Sequence, residues 1–325
     1  MTGLKGHDGA LTSVLNRRNL LTGAVVAGTL AATAACGAKA DPLGGTSSGA
    51  PGSGAPKTQE IVVGSASFSE SNVMAELYSQ ALVAKGVKSS THNNIGSREV
   101  YIAALADGSI SIVPEYTGNL LTYLDPKATA TTEKEIESAL PGLLAKKKLK
   151  MLGVSTAVDQ DVYCVTAEFA QKNGLASLAD LSKIASTSVL GGQPELKTRP
   201  YGPPGLEGIY HAKFKSFTPY DSEAVMLKDL LANKIQVVDF FTTEAVISEN
   251  KLVQLADPQS MILPQNVIPV VTDEVAANTT AVDALNAIQK ALSTDDLIAL
   301  NKSVDAEKKD AKDVAAKWLK GKGLA

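Results

Sequence analysis

From residue 60 onward, short β-branched runs alternate with stretches of helical period, which confines the chain to layered α/β folds with sheets covered on both faces. The run Glu60-Ile-Val-Val-Gly64 has the unbroken apolar character of a parallel strand buried on both sides. A polar turn over 65–70 leads into 72–86, where Val73, Leu77 and Ala81 recur every four residues beside Met74 and Leu82, and Gly86 supplies the stop of an amphipathic helix. The same reading places helices at 97–108, 132–148, 178–184, 206–214 and 222–233, and strands at 109–113, 151–154, 161–166, 188–190 and 236–241. Residues 304–320 mix Lys, Asp and Glu around Val314 and Trp318, as an exposed helix with one packed face would. No internal repeat is visible.

In open α/β sheets, ligands bind beyond the C-terminal ends of the strands. The loops at those ends, 65–72, 114–118, 191–205 and 241–244, are rich in Ser, Thr and aromatic residues and hold no nucleophile–base pair. No Gly-x-Gly-x-x-Gly, phosphate loop, His-Glu-x-x-His or Gly-x-Ser-x-Gly occurs, so the body reads as a binder without catalytic residues or cofactor. With 31 Lys+Arg against 34 Asp+Glu, bulk positive charge for nucleic acid is lacking. Two cysteines and three histidines supply neither a four-thiolate nor a three-histidine metal site. Cys164, inside an apolar strand, reads as a small buried hydrophobe, and His92 and His211 as surface residues. Lys146-Lys-Lys-Leu-Lys150 is a solvated helix end, or else a surface for lipid headgroups or a membrane partner.

Ahead of the body, Lys5, Arg17 and Arg18 precede an apolar stretch over 20–35 that is too short and too rich in Gly and Ala for a comfortable spanning helix, as in a secretory signal peptide. Arg17-Arg18-Asn-Leu-Leu resembles a twin-arginine export signal, with general secretory export as the alternative. Thr33-Ala-Ala-Cys36 resembles a bacterial lipobox in which Cys36 is acylated; Thr33 departs from the usual Leu, and cleavage after an Ala-x-Ala motif is the alternative. Residues 37–58, rich in Gly, Ser, Ala and Pro, form a flexible tether with almost nothing to bury. The expected location is the outer face of the cell membrane, held by a lipid.

Four segments carry a family resemblance. Ile61-Val-Val-Gly-Ser-Ala-Ser-Phe-Ser-Glu70, Gly96-Ser-Arg-Glu-Val100, Pro114-Glu-Tyr-Thr-Gly118 and Phe241-Thr-Thr-Glu244 resemble the substrate-binding lipoproteins of glycine betaine, choline and related osmoprotectant ABC importers. The resemblance implies a two-lobed, type II periplasmic-binding-protein (Venus-flytrap) α/β fold. One lobe would be 59–160 plus 267–325 and the other 161–266, with two strands crossing between them near 161–166 and 266–271. It also implies a monomer that takes a small-molecule solute to an ABC permease with a separate ATPase subunit, closing on the solute by hinge motion.

Relatives capture a quaternary ammonium group in a cage of aromatic rings. Tyr116 matches one cage position, whereas Asn72 stands where many relatives carry Tyr and Leu206 where some carry another ring. Each lost ring removes about 0.5–2 kcal/mol of cation–π attraction. Phe68 and Phe241 lie in crevice loops and offer replacement rings; Asp239 or Glu115 would attract a cation; Arg199 would pair a solute carboxylate or stay a solvated loop charge, and Arg98, near a helix start, would pair a solute carboxylate or a structural anion such as Glu70 or Glu115. Tyr163 touches the solute or packs. The expected contact set is thus Phe68, Asn72, Tyr116, Thr117, Arg199, Asp239, Phe241 and Thr242, with no metal ligand. Two other functions fit the same architecture: a porphobilinogen-deaminase-like enzyme with Cys164 carrying a covalent cofactor, and a sensory or adhesive surface protein that binds without transport.

Overall fold

The computed structural model describes residues 60–325, so the export signal, Cys36 and the tether lie outside the described residues. Among the described residues ten strands run in order: β1 (Ile61–Gly64), β2 (Ser89–His92), β3 (Ile112–Tyr116), β4 (Leu149–Met151), β5 (Asp161–Val165), β6 (Val189–Gly192), β7 (Ser216–Pro219), β8 (Val237–Phe241), β9 (Val253–Gln254) and β10 (Val267–Thr272). They form two five-stranded sheets, ordered β2-β1-β3-β10-β4 and β7-β6-β8-β5-β9. The two orders are one pattern used twice. In each, three parallel strands are followed by one antiparallel strand, β10 or β5, and a short edge strand.

Helices cover both faces of each sheet. Around the first sheet lie α1 (Ser69–Ala84), α2 (Arg98–Ala106), α3 (Thr117–Leu124) and α4 (Glu133–Ala145); α5 (Ala167–Asn173), α6 (Pro203–Tyr210), α7 (Glu223–Leu231) and α8 (Ala245–Glu249) accompany the second. The chain then returns through β10 to α9 (Asp273–Ala276), α10 (Thr279–Ala291), α11 (Thr294–Asp305) and α12 (Ala311–Lys322). α1 is the central beam of the first half: Val73, Met74, Leu77, Tyr78 and Leu82 are fully buried against the sheet and the C-terminal helices. Each such apolar side chain contributes about 1.5–3 kcal/mol of burial. The helix starts at Ser69, three residues before the apolar repeat suggests. Its polar first turn is stabilised instead by the Ala66 N–H donating to Ser71 Oγ (2.9 Å) and Ser65 Oγ donating to Asn72 Oδ1 (2.6 Å).

Several boundaries differ from the sequence reading for tertiary reasons. The strand expected at 109–113 runs instead through Tyr116, because β10 lies antiparallel beside it and pairs Tyr116 with Val267. Pro114 is tolerated there opposite Pro269. The span 178–184 is a 3-10 helix, and the charged C-terminal run is two helices, not one. Lys308 takes a left-handed backbone (φ 56°) between them and Asp310 caps α12. β2 and β7 have no apolar alternation, being half-exposed edge strands of sequence Ser-Ser-Thr-His and Ser-Phe-Thr-Pro. Lys146, Lys147, Lys148 and Lys150 are exposed at the end of α4, as are His92 and His211.

The chain passes between the sheets twice, over 152–160 and 255–266. The strands expected to cross do not: β5 is fully engaged by β8 and β9, and β10 by β3 and β4. The segments just before them cross instead and run antiparallel, through a Val158–Asn266 bridge and the Asp159 N–H donating to the Gln265 carbonyl (3.2 Å). The loops following β1, β3, β6 and β8 therefore face each other across one cleft.

Candidate functional site

Three aromatic rings meet where the halves touch. Phe68, the residue before α1, stacks on Phe241 at the end of β8, with centroids 5.7 Å apart and planes at 29°. Phe68 also tilts against Tyr116 at the end of β3 (6.2 Å, 34°). Phe68 and Phe241 are half-buried, and Tyr116 is buried. Phe68 and Phe241 are the rings expected from the crevice loops, and Tyr116 the one expected from the family resemblance.

Tyr116 is turned away from solvent by its hydroxyl, which donates to Glu70 Oε1 (2.6 Å). Glu70 Oε2 accepts from Asn301 Nδ2 of α11 (2.6 Å) and lies 2.8 Å from Thr243 Oγ1, the loop residue after β8. Thr243 Oγ1 is also 2.8 Å from Asp159 Oδ1 in the first crossing segment. Burial raises both carboxyls above the ordinary range, and for Asp159 the Glu70 charge adds to it.

Beside this network a cavity of about 260 Å³ opens between the halves. Arg98, Asn119, Thr122, Tyr123 and Pro126 form one wall and residues 198–201, including Tyr201, the other. Behind these walls Asn119 Nδ2 donates to Asp161 Oδ2 (2.9 Å), and Asp161 lies on the same face of the second sheet as Asp239. Burial, then the Asp161 charge, pushes the Asp239 carboxyl well up, and its Oδ1 is buried without a hydrogen-bond partner.

The remaining expected contacts are occupied elsewhere. Asn72 is held between Ser65 and Asn94. Thr117 donates to the Pro264 carbonyl (3.1 Å) and accepts from the Asn266 N–H (3.0 Å), so it pins the second crossing segment. Thr242 does the same for the first, accepting the Gln160 N–H (3.0 Å). Arg199 makes a two-pronged ion pair across the cleft with Glu99 (2.7 and 3.3 Å), which pulls that carboxyl down to about 2. Arg98 is likewise consumed by Glu115 (2.7 and 3.0 Å). Both arginines of the described residues thus already carry a carboxylate. Leu206 is fully buried in the core of the second sheet, and Tyr163 donates its hydroxyl to the Tyr201 carbonyl (2.7 Å).

Sequence reasoning missed Asn119, Tyr123, Asp159, Asp161, Tyr201, Thr243 and Asn301 as site residues. Tyr201 and Thr243 sit in crevice loops and were findable by the same argument that singled out Phe241; Asn119 and Tyr123 lie on a helix with no separate pattern, and Asn301 arrives from the far end of the chain.

Cys164 is fully buried in β5, and burial pushes its thiol up, away from the reactive thiolate. A covalently held cofactor has no room there. Alkylation at pH 8 should leave Cys164 unmodified in the folded chain, with peptide mass spectrometry finding the adduct only after denaturation; labelling at the rate of an exposed thiol would contradict this burial.

Comparison with known proteins gives the architecture relatives. The OpuAC family, described as the substrate binding domain of ABC-type glycine betaine transport systems, matches residues 59–321. The glycine betaine-binding protein YehZ of Escherichia coli (strain K12) is 27% identical over 281 residues, covering 81% of this chain and 90% of that protein. The ergothioneine transport permease/ergothioneine binding protein EgtU of Helicobacter pylori (strain G27) is 24% identical over 268 residues, 81% of this chain but 48% of that longer protein. Among solved structures, a glycine betaine/carnitine/choline ABC transporter protein superposes with TM-score 0.66 at 23% identity, covering 81% of this chain and 99% of that one. Apo YehZ from E. coli superposes with TM-score 0.60 at 26% identity, covering 82% and 99%.

Proposed function

The chain belongs to the OpuAC family of substrate-binding domains of ABC-type glycine betaine transport systems, and from that premise we propose that it captures a small betaine- or choline-like solute in the cleft between its two sheets. Members of this family are extracytoplasmic binding components of importers, not enzymes, which removes the deaminase-like alternative. The observation that carries the solute reading is the composition of the cleft. A cavity of about 260 Å³ is walled by Tyr123 and Tyr201, with the Asp161–Asp239 carboxyls behind it and the Phe68–Phe241 stack at the seam. The ring faces suit a cationic head that offers nothing to hydrogen-bond.

In this reading residues 59–160 with 267–325 act as one lobe and 161–266 as the other, hinged at the two crossing segments. Phe68, Tyr116, Phe241 and Asp239 form the solute side of the seam, together with Tyr123 and Tyr201. Asn72, Thr117, Arg199 and Thr242 hold the loops and the closed geometry around it. The protein works as a monomer, tethered by residues 37–58 to an acylated Cys36 after removal of the export signal, and passes solute to a permease driven by a separate ATPase.

Titration calorimetry with glycine betaine, choline, proline betaine and aromatic polyols tests the reading, paired with thermal unfolding. A solute held at 100 times its dissociation constant should stabilise the chain by about 2.7 kcal/mol. Heat and stabilisation from a member of the panel are expected, and silence across all of it overturns the assignment.

A further inference from the structure

Glu70, Asp159 and Thr243 reach one point from three places: the first turn of α1, the first crossing segment, and the loop after β8. All three are buried, at 4%, 5% and 1% exposure. Thr243 Oγ1 stands 2.8 Å from Glu70 Oε2 and 2.8 Å from Asp159 Oδ1. A threonine hydroxyl carries one hydrogen, so it donates to one carboxyl only, and the other contact needs a hydrogen borne by the carboxyl itself. The neighbouring donors leave that count unchanged. Asn301 Nδ2 donates to Glu70 Oε2 and to Thr243 Oγ1, the Thr243 N–H donates to Asp159 Oδ1, and the Tyr116 hydroxyl donates to Glu70 Oε1.

The charged surroundings favour the same state. Facing Asp159 are Glu70 and Asp161, with Glu244 and Asp239 nearby, all acidic; facing Glu70 are Tyr116, Asn301, Thr243 and Asp159. Among the described residues neither carboxyl forms an ion pair with a lysine or arginine. Burial raises both, so a hydrogen between them is retained where an exposed carboxyl would have lost it.

We propose that closing the two halves takes up one proton at Glu70–Thr243–Asp159, making closure proton-linked. Thr243 belongs to the second sheet's loops and Glu70 to the first half. When the halves part, both carboxyls meet water and ionise, and the proton returns to solvent; on closing, solvent supplies it again. The closed form therefore binds more protons than the open one. Its advantage is present at acid pH and declines as pH rises above the ordinary carboxylate range, by up to about tenfold in the closed-to-open ratio per pH unit for one linked proton. This rests on the motion of the halves and is independent of which solute fills the cavity.

Small-angle X-ray scattering of the full, solute-free chain at pH 6 and pH 8.5 tests it. The wild type should expand at the higher pH. Glu70→Gln supplies an amide hydrogen to Thr243 without titrating, and the Asn301 amide can turn so that its buried, unpartnered Oδ1 accepts from the new side chain. That variant should keep one radius at both pH values. Should the first fail to fold by circular dichroism, the double variant Glu70→Gln, Asp159→Asn serves, with the same expectation: the amide oxygen introduced at position 159 accepts the Thr243 N–H and hydroxyl, the amide at position 70 donates to Thr243, and nothing at the site titrates. A wild-type radius that does not change, or a folded amide variant that expands as the wild type does, overturns the proposal.

Discussion

Glu115→Ala is expected to lower the free energy of unfolding by about 3–5 kcal/mol, the cost of stripping one partner from a buried ion pair. Glu115 is fully buried and its side-chain oxygens are saturated: Oε1 accepts Arg98 Nε (2.7 Å) and the Tyr101 hydroxyl (2.9 Å), and Oε2 accepts Arg98 Nη2 (3.0 Å) and the Tyr116 N–H (2.9 Å). Removing the carboxylate leaves a guanidinium at 9% side-chain exposure, a phenol and a backbone N–H without an acceptor. The Arg98 charge is not screened by water there, unlike that of Arg199, whose partner Glu99 is half exposed. Urea unfolding followed by circular dichroism reads the loss. The double variant Arg98→Met, Glu115→Leu should recover only part of it, because it removes the unpaired guanidinium but still leaves the Tyr101 hydroxyl and the Tyr116 N–H without an acceptor. A single-variant loss below about 1 kcal/mol would show that the site rehydrates freely.

This pair illustrates how function was and was not legible in the sequence. Arg98 and Glu115 stand in the segments that carry the family resemblance, and Arg98, a cation near a helix start, calls for an anionic partner such as Glu70 or Glu115 as well as offering itself to a solute. The structure gives Arg98 to Glu115 and not to Glu70, a choice that spacing alone leaves open, since it is made by α2 packing beside β3. The alternation of strand and helix predicted the α/β layers because buried strands and amphipathic helices write their environment into local period. It could not predict that the sheets share one strand order. That likeness lies in hydrogen-bond topology, while β2, β7 and β9 are short, half-exposed edges under no demand for a pattern. The polar seam was the least visible part. Glu70, Thr243 and Asn301 meet one another over separations of up to 231 residues, and each alone looks like a surface residue.

The aromatic scarcity of the chain, six Phe, one Trp and eight Tyr, bears on the same point. The rings at Asn72 and Leu206 that relatives supply are not replaced one for one. Phe68 and Phe241 pair with each other across the cleft, and Tyr123 and Tyr201 line the cavity from positions with no counterpart in the expected cage.

Gly118→Ala is expected to damage stability and solute affinity together, because it strikes the second crossing segment where that segment is anchored. An ideal Cβ at Gly118 would lie 2.6 Å from Leu263 Cβ, 2.6 Å from the Pro264 carbonyl oxygen and 2.8 Å from Gln265 Nε2. The obstacle is space, since the segment cannot retreat without breaking bonds. The Gly118 N–H donates to the Pro264 carbonyl (3.0 Å), the Thr117 N–H to the Asn266 carbonyl (3.1 Å), and the Asn119 N–H to Gln265 Oε1 (2.9 Å). Overpacking of this kind costs about 1–3 kcal/mol, or about 2–4 °C in Tm for each kcal/mol at this size. The displaced segment also carries Asn119 away from Asp161, opening the wall of the cavity, so the affinity for whichever solute of the panel binds should fall about tenfold, equal to 1.4 kcal/mol. Gly142→Ala is the control: it lies on α4 with open space around its Cβ, and helix propensity favours the change. Thermal unfolding and titration calorimetry on the two variants separate the cases. If Gly118→Ala matches Gly142→Ala in both, the crossing segment is softer than its hydrogen bonds indicate, and the hinge lies elsewhere.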